Sequence, residues 1–123
     1  QDLALIDARK AAAMFQKVKV PLLGIIENMS QFICPHCQQS AEVFGSGGGK
    51  NLAQELTLDL LAQLPLDLAL RQASDAGKPL LVSEPESKTS LIYKALASKI
   101  LEKINQQNQT QKRIFPKIVI SNE

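Results

Sequence analysis

Two aliphatic runs, Val18 to Ile26 and Leu58 to Leu64, constrain this chain more than any other feature. Neither shows the apolar/polar alternation of a strand with one wet face. Such runs fit strands buried on both sides, as in a parallel sheet flanked by helices. Lys19 and Pro21 interrupt the first run, and proline cannot donate to a sheet ladder, so the strand proper is expected from about Leu22. Pro65 ends the second run. Between them, Ser46 is placed to cap a helix carrying Leu52, Ala53 and Leu56. Strand, helix, strand in that order predicts an α/β fold with a mainly parallel sheet.

The flanks agree with that reading. Asp2 is placed to cap a first helix, with Leu3, Ile6, Ala13 and Phe15 near helical spacing and Ala11 to Ala13 adding propensity. Asp67 to Ala73 predicts a short helix and Gly77 to Pro79 a turn. Ser87 to Ile104 predicts a long amphipathic helix, with Ile92, Leu96 and Ile100 stacked four residues apart. Residues 1–104 are therefore read as one domain part. Asn105 to Gln111, rich in Gln and Asn, reads as a mobile spacer opening a tail of residues 105–123. Within that tail, Arg113 to Ser121 suits either an edge strand or a loose terminus. The chain starts at Gln1, at a helix entrance, which suggests that part of a longer protein precedes it.

Bulk properties exclude several function classes. A net charge of +2, with scattered lysines, gives no electrostatic footprint for nucleic acid. No stretch approaches the roughly 18 apolar residues of a membrane-spanning helix. No signal-peptide pattern is present, and 2 cysteines in 123 residues do not make a disulfide framework, so a reducing cytoplasm is expected.

Residues 31–49 carry no helical or alternating pattern, and here lie both cysteines, in Cys34-Pro35-His36-Cys37. Two thiolates three positions apart hold one edge of a metal site or cluster, whereas a tetrahedral zinc or an iron–sulfur cluster takes four ligands. Half a site is present. A second copy of the chain is the simplest source of the other half, so the motif predicts a homodimer. Structural zinc, again needing a partner, stays open, and His36 points poorly for closing the same tetrahedron. The spelling also fits a thiol–disulfide oxidoreductase, which needs a helix starting at the motif to activate the first thiol. The Glu42-Val43-Phe44 step and the glycines that follow weaken that alternative.

Other motifs are weaker. The run Gly45 to Asn51 resembles a phosphate-binding loop, but counting back from Lys50 puts Phe44 where the first glycine belongs, and Asn51 replaces the required hydroxyl residue. A flexible turn into a helix is the better reading. Asn28, at the C-terminal end of the first strand, offers an amide that could read a base edge or bond its own backbone. Asp67, Asp75, Glu84 and Glu86 form no evident acid/base pair. No catalytic constellation emerges.

Together, GIIENMS at 24–30, CPHC at 34–37, Phe44 to Gly48, Leu64 to Asp67 with Arg71, and Asp75 to Pro79 resemble the Mrp/ApbC-type iron–sulfur cluster carriers of the MinD-like P-loop ATPases. The opening Gln1 to Leu5 is similar to that family's segment after its Walker B strand, and the match continues to about Leu101. The resemblance implies the C-terminal portion of a three-layer P-loop NTPase fold. It implies a homodimer holding a 4Fe–4S cluster through Cys34 and Cys37 of each chain and passing it to apo iron–sulfur proteins. It also implies ATP and Mg binding with hydrolysis in the intact protein, Asn28 contacting adenine and Pro65 to Asp67 lining the nucleotide pocket. The family's phosphate-binding Walker A and its Walker B lie upstream, so this chain alone is expected not to hydrolyse ATP. Lacking those strands, it is expected to expose apolar faces and to be marginally stable or to associate.

Overall fold

A computed structural model of the chain describes residues 1–37 and 39–112, with the side chains of 110–112 outside the description. Helix α1 spans Asp2–Lys17 and helix α2 Gly48–Glu55; strands β1 (Ile25–Glu27) and β4 (Leu60–Gln63) pair in parallel. Between β1 and α2, strands β2 (Phe32–Ile33) and β3 (Ser40–Ala41) form a small antiparallel hairpin. Helices α3 (Leu68–Asp75), α4 (Leu80–Ser83) and α5 (Lys88–Lys112) follow. Helix α2 lies against β1 with α1 beyond it, and α5 packs along β4, so helices flank a parallel sheet as expected.

The first aliphatic run is mostly not strand. Helix α1 ends in a Schellman arrangement: Lys19 takes φ 59° and donates to Gln16 O, while Val20 N–H donates to Phe15 O. Residues 18–20 are therefore used in stopping a helix, and β1 begins at Ile25 rather than near Leu22. Thr57 at φ 55° ends α2 in the same way, with Leu58 N–H on Ala53 O, which moves the start of β4 to Leu60. Gly77, at φ 66°, ends α3 in the third case.

Capping departs from expectation at two starts. Gln1 precedes α1 without a side-chain cap, and Asp2 sits in the first turn, where its charge faces the positive helix end. Helix α2 starts from Gly47 in the left-handed region, not from Ser46, and no side chain of its own entry caps it. At α3, Asp67 accepts from Ala69 N–H at 2.8 Å and from Leu70 N–H at 3.4 Å.

Leu61, Leu64 and Leu96 form the core, with Ile92, Tyr93 and Ile100 packed on it, so the predicted i, i+4 stripe of α5 is the face that covers β4. Gly24 allows the strands to meet, because a Cβ there would lie 2.6 Å from Leu61 Cγ. Helix α5 runs unbroken past Ile104 to Lys112, so the spacer expected at Asn105 to Gln111 is helical instead. Glutamine is a good helix former, and Gln106 Nε2 reaches Glu102 Oε1 one turn back. The expected strand or loose terminus at Arg113 to Ser121 lies outside the described residues.

Among the described residues β1 has no neighbour on its second edge. Leu3, Ile6, Met14 and Phe15 of α1, with Val18 and Val20, remain exposed, Leu3 by 68%. No helix among the described residues is long and apolar enough to cross a membrane.

Candidate functional site

Both parallel strands end on the same side, and the chain makes its irregular excursion there. After Glu27 the backbone turns through Asn28 and Met29, the latter at φ 54°. Ser30 then locks to the neighbouring strand end: its N–H and its Oγ both donate to Leu64 O, at 2.9 and 3.0 Å. Leu66 N–H donates to Gln31 O at 2.7 Å, and Phe32 bridges Leu66 in parallel fashion. The sheet thus continues raggedly into β2, which delivers Cys34 at the tip of the hairpin.

Residues 35–37 form a turn, and Cys34 N–H donates to Gln39 O at 3.0 Å. Both cysteines are free thiols, Cys34 half-buried and Cys37 exposed. Backbone N–H groups of Cys37 and then His36, followed by the Cys37 thiol, stabilise the Cys34 thiolate and hold its pKa below the ordinary thiol range. The donor set suits a soft, thiolate-bound metal or cluster. Among the described residues no group of three or more His, Cys, Asp or Glu side chains converges on a metal position. This chain therefore brings two sulfurs to the site and His36 does not join them. Among the described residues no helix starts at the motif, so the device that the thiol–disulfide alternative requires is not seen there.

The other predicted residues lie nearby but in two hollows. Asn28 is exposed, and its Oδ1 accepts from Met29 N–H at 2.9 Å, the local backbone bond weighed for it. It borders a cavity of about 370 Å³ between α1 and the end of β1, together with Leu5, Phe44 and Gly49. Pro65 is buried, and Pro65 and Asp67 border a second hollow of about 280 Å³. Pro35 of the cysteine turn and Lys88 share that hollow. The Asp67 carboxylate is already committed: one oxygen caps α3 and the other accepts from the Thr89 hydroxyl. Asp67 thus fixes the shape of this hollow more than it offers it a free acceptor.

The family model for NUBPL iron-transfer P-loop NTPases of the ParA group matches residues 1–101. The chain belongs to this family. One relative, the iron–sulfur cluster carrier protein of Salmonella typhimurium, is 46% identical over 109 residues, covering 89% of this chain and 30% of the relative. A nucleotide-binding protein of Archaeoglobus fulgidus, solved in complex with ADP, superposes with a TM-score of 0.53 at 34% identity, over 65% of this chain and 32% of that one. The cell division ATPase MinD of Pyrococcus furiosus gives a TM-score of 0.61 at 23% identity, over 80% of this chain and 37% of that one, a likeness of fold. The chain spans about a third of the length of the curated relatives it matches. The expected family and the P-loop NTPase fold are both borne out.

Residue patterns missed one member of the site. Glu27, at the end of β1, contacts both Gly49 and Gln63. The available signal was an acidic residue at a strand end followed by a glycine run that opens a helix.

Proposed function

We propose that the chain is the cluster-holding part of an iron–sulfur cluster carrier. In this reading Cys34 and Cys37 of two copies supply four thiolates to one 4Fe–4S cluster, which is the cargo. Transfer to an apo iron–sulfur protein exchanges these thiolates for those of the recipient, with no net redox change. The single observation that carries the reading is the hairpin tip, where two free thiols stand on a turn with Cys37 exposed and the Cys34 thiolate favoured. A pair on an exposed turn outside the parallel sheet can meet its twofold mate without rearranging that sheet.

Nucleotide chemistry is assigned to the intact protein. Although they border separate hollows in this chain, in the intact protein Asn28 would meet the adenine and Pro65 to Asp67 would wall the pocket, in keeping with the ADP complex of the archaeal relative. ATP phosphates and Mg are held by upstream elements in this reading, and this chain alone binds no ATP productively. The free thiols suit a reducing compartment, for which the cytoplasm is proposed.

Anaerobic reconstitution with iron and sulfide tests the reading. The chain should take up iron and show the broad visible absorbance of thiolate-to-iron charge transfer, and the Cys34→Ser/Cys37→Ser variant should not. Stoichiometric zinc in place of iron, or a stable Cys34–Cys37 disulfide, would contradict it.

A further inference from the structure

The segment that carries the thiols leaves the sheet after Glu27 and rejoins regular structure at Gly48. A free loop of this length would spread its thiols over many positions, and a shared cluster tolerates little spread. The departure is pinned by Ser30 and Gln31 against Leu64 and Leu66. The return is met by a side chain of β1. Glu27 Oε1 accepts from Gly49 N–H at 2.9 Å, and Glu27 Oε2 accepts from Gln63 Nε2 at 2.7 Å.

Three observations make this contact more than a surface pair. Helix α2 has no cap of its own and no acidic residue in its first turn, so the carboxylate of β1 does both jobs from across the excursion. Gly49 is buried, and a Cβ there would lie 2.7 Å from Glu27 Cβ and 2.9 Å from Glu27 Cδ, so residue 49 has no side chain because Glu27 fills its place. Gln63 stands opposite Glu27 in the strand register and holds the second oxygen.

We propose that Glu27 is a positioning residue for the cysteine pair, closing the excursion by bridging the Gly49 N–H and the Gln63 side-chain amide. The inference rests on the carrier reading for what the pair does, whereas the closure itself is a property of the fold.

Five forms of the full chain test it: wild type, Glu27→Ala, Gln63→Ala, Gln63→Glu, and the double swap Glu27→Gln/Gln63→Glu. The reconstituted forms are read by the rate of iron loss to a chelator. The cluster-free forms are read by exchange of the Gly49 amide hydrogen and by thermal unfolding. Glu27→Ala is expected to speed iron loss about tenfold, the lower end of the effect that direct partners of metal ligands have on affinity, because Glu27 acts on the cysteines only through the excursion. It should also speed Gly49 exchange. Gln63→Glu sets two carboxylates against each other and should loosen the site, and the double swap, which restores one acceptor–donor pair and keeps an oxygen for Gly49, should rescue it.

A role in general stability alone would not predict rescue by the swap. Unchanged Gly49 exchange and unchanged iron loss in Glu27→Ala would overturn the proposal. If Glu27→Ala does not fold, Gln63→Ala at its exposed position and the swap decide the matter: loosening by the first and rescue by the second support it, and neither effect overturns it. If wild type takes up no cluster, the carrier reading fails, and Gly49 exchange still decides whether Glu27 closes the excursion.

Discussion

Single residues at this site mostly do two things at once. Asp67 caps α3 with one oxygen and satisfies the buried Thr89 hydroxyl with the other. Asp67→Ala is expected to cost about 2 kcal/mol, roughly one for the lost cap and one for the orphaned hydroxyl, read as a shift in the denaturant midpoint. Asp67→Asn, which keeps a capping oxygen, should cost less. At Cys34 the pKa is lowered first by the Cys37 N–H, then by the His36 N–H and the Cys37 thiol. Alkylation follows the thiolate, so the Cys34 rate should have its midpoint below the about 8.5 of a free thiol. Cys37→Ser should raise that midpoint only in part, because both backbone donors remain. A midpoint at or above the ordinary value would contradict the geometry of the turn.

The chemistry-bearing residues were legible as types. Cys34, Cys37 and the strand-end position of Asn28 all stand out, because few alternatives exist for a lone CxxC or for an amide after a buried strand. Glu27 was not legible, since its partner Gly49 is 22 positions away and offers only a backbone N–H. Asp67 read as a helix start, and its tie to Thr89 comes only from tertiary packing.

Elements followed their periodicity where a core face decides and departed from it where local backbone chemistry does. The stripe Ile92, Leu96, Ile100 found β4, as hydrophobic spacing requires. Both aliphatic runs outlast their strands because helix ends intrude into them: Lys19 and Thr57 adopt left-handed conformations with no glycine to announce the stop. For threonine, a β-branched residue, this conformation costs about 1–2 kcal/mol. Thr57→Gly removes that cost and adds back up to about 1 kcal/mol of backbone entropy, so a net gain of about 0.5 kcal/mol is expected in equilibrium unfolding. A loss would show that the Thr57 side chain contributes contacts beyond the turn. The excursion of residues 31–49 shows its irregularity in the sequence, yet its hairpin is only two residues on each strand and has no alternation long enough to detect. The Gln/Asn-rich stretch misled in the other direction: its composition suggests disorder, but it extends an established helix, where propagation is cheaper than nucleation.

At the scale of the whole molecule, the parallel sheet has two strands among the described residues, and α1 leaves Leu3, Ile6, Met14 and Phe15 exposed. A sheet edge and an apolar helix face of this kind seek partners. The chain is expected to sediment as concentration-dependent associates, and a monomer that unfolds cooperatively at all concentrations would contradict that. Association through these faces is separate from the pairing of two cysteine turns, so sedimentation does not decide the central claim. Native mass spectrometry of the anaerobically reconstituted chain does, because it reads chain number and metal content of each species together. The account predicts that iron and sulfide appear only on species holding two chains, as one 4Fe–4S cluster per pair, and vanish in Cys34→Ser/Cys37→Ser. A single chain carrying the cluster, or zinc on either species in its place, would contradict it.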